Sequence, residues 1–194
     1  IRWFKAETSN GEVLQHEQTA KGIYAVDFEN SSLNKKDLNF CITYEIYCHE
    51  LTVRTSHVDA SHAFLHGPSY LMGVLDKKIV EPELSLRFPP SWSKVTTGLK
   101  DISPKREEFL YSAENYDVLV DAPIEIGCHE TDGFMFEGKE HHLAWYGELL
   151  PHNENLKKDI EISVKEVSST FSSIPYDNYT FITHFVPGKF GGLE

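Results

Sequence analysis

The chain has 194 residues, and its 18 lysines and arginines stand against 30 aspartates and glutamates, which gives a formal net charge of −12. This balance argues against a surface for nucleic acid or anionic membrane, because phosphate binding needs clustered basic side chains. Hydrophobic residues make up 40% of the chain, enough for a packed core, and no run approaches the roughly 18 apolar residues of a membrane span. We therefore expect a folded protein of one large or two unequal domains, with no nucleic-acid or membrane partner.

The first part of the chain, to about residue 120, has the alternating pattern of β-strands. Phe40, Ile42 and Tyr44 share one face of a strand over 40–48, while the residues between them are mostly polar. Shorter strands are predicted at 22–28, 69–74 and 84–88, with turns at Asn10-Gly11 and Gly67-Pro68 and a polar loop at 100–108. Several short strands without a long helix between them indicate an antiparallel β-sandwich or saddle-like sheet.

The pattern changes near residue 121. Three further strands are predicted around 124–128, 134–136 and 143–147, with tight turns at Asp132-Gly133 and Glu137-Gly138. Apolar residues then recur every three or four positions, which predicts a helix over about 154–172, followed by a strand at 179–186. We predict domains at 1–120 and 121–194, and a mainly β (α+β) fold with one long helix.

Three cysteines, Cys41, Cys48 and Cys128, form no CxxC pair. Their number is odd, and Cys41 and Cys48 fall on opposite faces of a strand, so we expect buried, reduced thiols. Unpaired, reduced cysteines favour a reducing, cytoplasmic compartment.

The zinc motif HExxH places two imidazoles on one helix face, with a glutamate next to the first that acts on the metal-bound water. Three His-Glu pairs occur, at 16–17, 49–50 and 129–130, but Ala20, Val53 and Gly133 stand where the second histidine would be. The motif is absent from this sequence, as are the GxSxG elbow of serine hydrolases and a phosphate-binding loop.

Two looser histidine groups remain. They are His57, His62 and His66, and His141, His142 and His152. Neither spacing matches a recognised ligand set, so these histidines are predicted to be surface or hydrogen-bonding residues. The sequence predicts no metal ligands and no catalytic residues in this chain.

Several blocks resemble the glycyl aminopeptidase family of zinc metallopeptidases. They are YEIY (44–47), LTVRT (51–55), FLHGPS (64–69), YDVLVDAPIEIG (116–127), PYDNYTF (175–181) and FGGLE (190–194). The blocks follow the order of that family and extend over nearly the whole chain.

The resemblance implies a longer, three-part protein. It would consist of a β-rich amino-terminal domain, a thermolysin-like catalytic domain carrying HExxH, and a PDZ-like module. This chain would hold the first part and the incomplete start of the second, so the zinc and the hydrolysis of peptide substrates would belong to the longer protein. We expect the 194-residue chain alone to be inactive.

The resemblance also implies substrate-binding residues. Glu194 resembles in placement the last acidic residue of a strand that holds the free amine of a peptide in related aminopeptidases, with Gly191 and Gly192 allowing close approach of the substrate backbone. His66 stands where the family usually has asparagine, in a loop expected near the cleft. The alternatives are a solvated carboxylate at Glu194 and a turn-stabilising side chain at His66.

Two other functions are alternatives to a peptidase fragment. One is a β-sandwich binding module that uses exposed aromatic residues, although Trp3, Trp92 and Trp145 lie in different segments. The other is a hydrolase with a dispersed site, for which no nucleophile and base stand out. We also expect a homodimer, formed through apolar surface on the helix and last strand of an incomplete catalytic domain.

Overall fold

The computed structural model describes residues 1–31, 33, 39–105, 108–148, 155–171, 173–188 and 190–192. Within this part of the chain the fold is mainly β, with fourteen strands and three helices. The strands lie in five open sheets of two to four strands. The predicted mainly β fold with one long helix is therefore confirmed. None of the three described helices has the length and apolar character that crossing a membrane requires.

The chain divides into two compact units, Ile1–Cys48 and His49–Glu194. These units reflect packing within the 194 residues. The domains predicted at 1–120 and 121–194 refer to the parts of a longer protein, and their boundary stays a prediction.

The first unit is formed, in its described residues, by four strands: β1 (Trp3–Thr8), β2 (His16–Ala20), β3 (Ile23–Val26) and β4 (Phe40–Glu45). β1 pairs antiparallel with β4, and β2 pairs antiparallel with β3. Along β4 half-buried and exposed residues alternate, as the pattern of the sequence predicts. Phe4 of β1 stacks on Tyr24 of β3 at 4.2 Å between ring centres, which joins the two pairs of strands.

The second unit holds the remaining described elements. In chain order they are β5 (His57–Val58), β6 (Ala63–Leu65), α1 (Gly67–Tyr70), β7 (Glu83–Leu86), β8 (Lys94–Thr97), β9 (Lys100–Asp101), β10 (Phe109–Ser112), α2 (Tyr116–Asp121), β11 (Ile124–Gly127), β12 (Glu130–Phe136), β13 (Lys139–Tyr146), α3 (Leu156–Ser168) and β14 (Asn178–His184). They form sheets in the orders β5-β6-β11-β8, β7-β10-β9 and β12-β13-β14.

β11 is the inner strand of the four-stranded sheet and pairs antiparallel with β6 and with β8. All four of its residues are buried. Ile124 and Ile126 belong to the apolar core, together with Trp92, Leu99 and Tyr111. Because side chains alternate along a strand, Glu125 between the two isoleucines faces the opposite side of the sheet.

The third sheet combines a hairpin with a crossover. Glu137 and Gly138 form the predicted turn between β12 and β13, and both have positive φ (48° and 75°), as a type I′ turn requires. β14 is parallel to β13, so the chain must cross over between them, and α3 lies in that connection.

Some predicted elements are wrong. Residues 69–74 are not a strand, because Gly67-Pro68 begins helix α1 instead of forming a turn, and proline is well suited to the first helical turn. Asp132 and Gly133 lie inside β12 and form no turn. The long helix ends at Ser168, earlier than the predicted 172. Part of the predicted loop at 100–108 is strand β9.

The three cysteines are free thiols. Cys41 and Cys128 are exposed and only Cys48 is partly buried, so the prediction of buried thiols is wrong for the first two. In β4 the alternation of the strand places Cys41 on the solvent side.

Candidate functional site

A histidine–carboxylate cluster, defined as His62, Glu125 and His184, lies on the face of β11 opposite the apolar core. His62 Nδ1 is 2.7 Å from Glu125 Oε1, and His184 Nε2 is 2.8 Å from Glu125 Oε2. Each imidazole N–H donates to a different carboxylate oxygen. The Glu125 side chain is fully buried, and that of His62 is 1% exposed. The cluster is thus a polar centre enclosed by protein.

Three elements position the cluster. Glu125 is on β11, directly opposite Phe64 of β6. His62 immediately precedes β6, and His184 is the last residue of β14, opposite Tyr146 of β13. The strand pairings therefore bring together residues that are far apart in the sequence.

Aromatic rings enclose the two histidines. The His62 ring stacks on Tyr146 with 3.6 Å between ring centres and 10° between planes. The His184 ring meets Phe64 edge to face at 4.9 Å. Such contacts restrict rotation of the imidazoles and so hold their nitrogen atoms in place.

Asp59 orders the turn that presents His62. Its Oδ1 accepts hydrogen bonds from the Ser61 hydroxyl (2.6 Å) and from the backbone N–H groups of Ser61 (2.7 Å) and His62 (3.1 Å). Its Oδ2 accepts from His57 Nε2 at 3.2 Å. The hydrogen bonds from Ser61 are the main reason that the pKa of Asp59 lies well below its ordinary value.

Glu125 is ionised at neutral pH. Burial alone raises the pKa of this carboxyl, but hydrogen bonds and electrostatic interactions with His184 and His62 lower it, and the net direction is downward. The structure therefore holds a buried negative charge whose contacts are imidazoles.

His129 is a further buried histidine within reach of these charges, and it is 2% exposed. Its Nε2 is 2.7 Å from Thr96 Oγ1, whereas its buried Nδ1 has no hydrogen-bond partner among the described residues. Burial lowers its pKa, Glu125 opposes this, and Lys94, His62 and His184 add to the lowering. His129 is thus predominantly neutral at pH 7, with one nitrogen unsatisfied.

Two groups of described residues bring three metal-ligand atoms within 4.8 Å of one another: His57, Asp59 and His62, and the histidine–carboxylate cluster. The sequence singled out His57 and His62 as part of a loose histidine group with His66, but the structure joins them to carboxylates instead. Glu125 and His184 were missed. The local pattern did not indicate Glu125, because a charged residue between two isoleucines is typical of the exposed face of a half-buried strand.

His66, predicted to face substrate, precedes α1 and makes no side-chain cap of that helix. Its backbone N–H donates to Ser56 Oγ (2.9 Å), and its carbonyl accepts from Ser69 Oγ (2.8 Å). Burial lowers the pKa of its imidazole, Asp121 opposes this, and Arg54 adds to it. These bonds fix the backbone at the start of the helix and leave the role of its side chain a prediction.

The other predicted site residues lie at the end of the chain. Glu194 is outside the described residues. A Cβ at Gly191 would lie 3.7 Å from Val53 Cγ1, an ordinary contact, and a Cβ at Gly192 would meet open space. Packing within this chain therefore does not require glycine at either position, and their role in admitting a substrate stays a prediction.

Comparison with known proteins gives a consistent result. The family model described as the peptidase M61 N-terminal domain matches residues 1–128. The chain is also similar to the crystal structure of an aminopeptidase N family protein from Idiomarina loihiensis, with a TM-score of 0.86 and 28% identity over 99% of this chain and 32% of that one. The chain thus spans about a third of that protein's length. No curated protein matches the chain.

Proposed function

The chain belongs to the peptidase M61 N-terminal domain family, and on that premise we propose that it is the non-catalytic front part of a zinc metallopeptidase that removes amino-terminal residues from peptides. The observation that carries this proposal is the family match over residues 1–128. The likeness of 99% of this chain to about a third of an aminopeptidase N family protein supports it.

The HExxH motif, which binds the catalytic zinc of such an enzyme, is absent from this sequence. His16-Glu17 lies on the exposed strand β2, and Glu130 begins β12 while His129 precedes it. Neighbouring side chains of a strand point to opposite faces, so these pairs lack the shared helix face of HExxH. We therefore assign the zinc motif and the peptide cleavage to a catalytic domain that follows this chain in a longer protein.

The end of the chain is proposed to contact the peptide substrate. An extended substrate adds to a strand edge through backbone hydrogen bonds, and Gly191 and Gly192 would leave room for that approach. The carboxylate of Glu194 would then pair with the free ammonium group of the substrate. This pairing would favour removal of single residues from the amino terminus over cleavage within a chain.

The proposal is tested by measuring zinc content and release of glycine from a dipeptide. The assay compares the 194-residue chain with the same protein extended through the next few hundred residues. We expect the extended protein alone to cleave the dipeptide. Zinc-dependent release of glycine by the 194-residue chain would contradict the assignment of peptide cleavage to a following catalytic domain. Inactivity of both proteins would contradict the peptidase assignment.

The role of Glu194 has a separate test in the extended protein. Glu194→Ala should lower kcat/KM for peptides with a free amino group far more than for peptides whose amino terminus is acetylated. The matched control is Glu17→Ala on the exposed strand β2, which should leave both values unchanged. Equal losses for the two kinds of peptide would contradict the proposed contact.

The binding-module alternative would need an exposed aromatic platform. Trp92 is buried. Trp3 is on β1 and Trp145 on β13, which belong to different sheets. The described tryptophans therefore provide no observation in favour of that function.

A further inference from the structure

We propose that the histidine–carboxylate cluster of His62, Glu125 and His184 binds one divalent first-row metal ion, preferably zinc, as a structural site. The site is separate from the zinc of the proposed peptidase activity and does not depend on that activity. It also departs from the sequence prediction of no metal ligands, because the ligands come together only in the fold.

The donor set suits such an ion. Two imidazole nitrogens and one carboxylate are ligands that zinc and its neighbours accept. The three ligand atoms already lie within 4.8 Å of one another. Ligands at about 2.0–2.1 Å from one ion are about 3.3 Å apart in tetrahedral geometry. One ion in place of the two hydrogen-bonding protons would need the 2.7 and 2.8 Å contacts to widen by about half an ångström. The other separations among the ligand atoms, which are within 4.8 Å, would need to adjust to about 3.3 Å.

The charge at the cluster also favours a cation. Glu125 is fully buried, and among the described residues its ion pairs are with His62 and His184 rather than with lysine or arginine. A buried carboxylate is costly unless a positive charge or a metal ion compensates it. A divalent ion would supply this compensation directly.

The nearby His129 is an independent sign that the polar interior is incomplete. Its buried Nδ1 lacks a hydrogen-bond partner in the described part of the chain. Buried polar atoms in folded proteins are almost always satisfied, so this orphaned nitrogen indicates that a bound species completes the polar interior. His129 is within electrostatic range of Glu125, His62 and His184.

The other group of potential ligands, His57, Asp59 and His62, is a poorer site. Asp59 already accepts four hydrogen bonds, three of them on Oδ1, and these build the turn before β6. Each oxygen of Glu125 has a single imidazole partner. The geometry therefore assigns Asp59 a positioning role, in which it holds His62 toward the cluster.

The first experiment uses the 194-residue chain, freed of metal by a chelator. It carries Cys41→Ser and Cys128→Ser, because both thiols are exposed and thiolates are ligands for zinc. Zn²⁺ is titrated calorimetrically and Co²⁺ by its visible absorption. We expect one ion per chain, an intense cobalt band typical of a low-coordinate site, and a higher Tm with Zn²⁺. Absence of binding to the folded chain would overturn the proposal and leave the cluster as a hydrogen-bonded triad.

The second experiment assigns the ligands. Glu125→Gln and His184→Gln should each weaken Zn²⁺ binding by more than about 100-fold, since even residues that only orient ligands change affinity by about 10–100-fold. The control is His142→Gln, because His142 is half exposed and pairs with Glu140 outside the cluster. If Glu125→Gln fails to fold, His184→Gln decides the question. Unchanged binding in the folded His184→Gln chain would overturn the assignment.

Discussion

His184 Nε2 donates a hydrogen bond of 2.8 Å to Glu125 Oε2, although the two residues are 59 positions apart and lie in different sheets. His184 ends β14 of the sheet β12-β13-β14, whereas Glu125 is on β11 of the sheet β5-β6-β11-β8. Through this contact a single buried carboxylate connects two of the three described sheets of the second unit. The cluster therefore contributes to stability whether or not it also binds an ion.

Replacing Glu125 with alanine should strongly destabilise the protein. Two buried N–H donors, on His62 and His184, would lose their acceptor, and each unsatisfied buried donor costs about 1–3 kcal/mol. We expect the free energy of unfolding of metal-free protein, measured in urea at neutral pH, to fall by about 3 kcal/mol.

The control for this prediction is Glu83→Ala. Glu83 is exposed on β7 in the same unit, and exposed substitutions usually change stability by less than about 0.5 kcal/mol. If Glu125→Ala lowered the free energy of unfolding no more than Glu83→Ala does, the two hydrogen bonds would contribute nothing to the stability of the folded state.

The parts of the fold that could be predicted from sequence were those with strong local patterns. Alternation identified β4, and the apolar spacing identified α3, because both patterns depend on neighbouring residues alone. The segment 69–74 was wrongly predicted as a strand, because alternation over so few residues is weak evidence for one. The helix that begins at Gly67 instead packs closely against Val120 of α2, and this contact depends on tertiary structure.

The cluster could not be predicted in the same way. Its members are joined by contacts across 63 and 59 positions, and no local spacing encodes such pairings. Glu125 alternates with two isoleucines, as an exposed residue of a half-buried strand does, and its burial and its partners depend on where the neighbouring strands lie. The three His-Glu pairs were correctly rejected as HExxH because that motif is local.

Gly67→Ala should lower the stability of the protein far more than an ordinary glycine substitution does. A Cβ on Gly67 would lie 2.2 Å from the Val120 carbonyl oxygen and 2.5 Å from Val120 Cα, and backbone atoms cannot move aside as a flexible side chain can. Helices α1 and α2 would have to separate. We expect the free energy of unfolding to fall by at least about 2 kcal/mol, as overpacking of a close contact does.

Gly98→Ala is the matched control for this close approach. A Cβ at Gly98 would meet no atom within 4 Å, so thermal and urea unfolding should be close to wild type. Similar stability of the two variants would mean that α1 and α2 can separate at little cost.

The stability of the protein should fall in mild acid, and His141 should contribute to that fall. Burial is the main reason that the pKa of His141 lies below its ordinary 6.5, the charge of His142 adds to the effect, and the hydrogen bond with the Lys139 carbonyl opposes it. The unfolded chain therefore takes up the proton first. The contribution of neutral His141 to the free energy of unfolding is fully present above about pH 6.5. It is lost as the pH falls toward the lower pKa of His141 in the folded state.

The measurement compares urea unfolding at about pH 7.5 and about pH 5.5 in wild type and His141→Phe. Phenylalanine cannot titrate and retains a ring to stack on Phe134, which lies 4.6 Å from His141. The variant should lose less stability between these two pH values than wild type does. His16→Gln, on the exposed strand β2, should retain the wild-type fall, and an undiminished fall in His141→Phe would contradict the prediction.

Self-association through the face around α3 is the last prediction. Ile162, Val167 and Phe171 are 50%, 59% and 65% exposed. Removing this apolar area from water favours association, and the loss of translational and rotational freedom opposes it. We expect sedimentation velocity of the 194-residue chain to reveal a dimer as concentration rises, and Val167→Lys combined with Phe171→Ser to shift it to monomer. Leu75→Lys, at a 66% exposed position elsewhere, should leave the dimer intact. A wild-type monomer at high concentration would show that this face does not associate with a second copy.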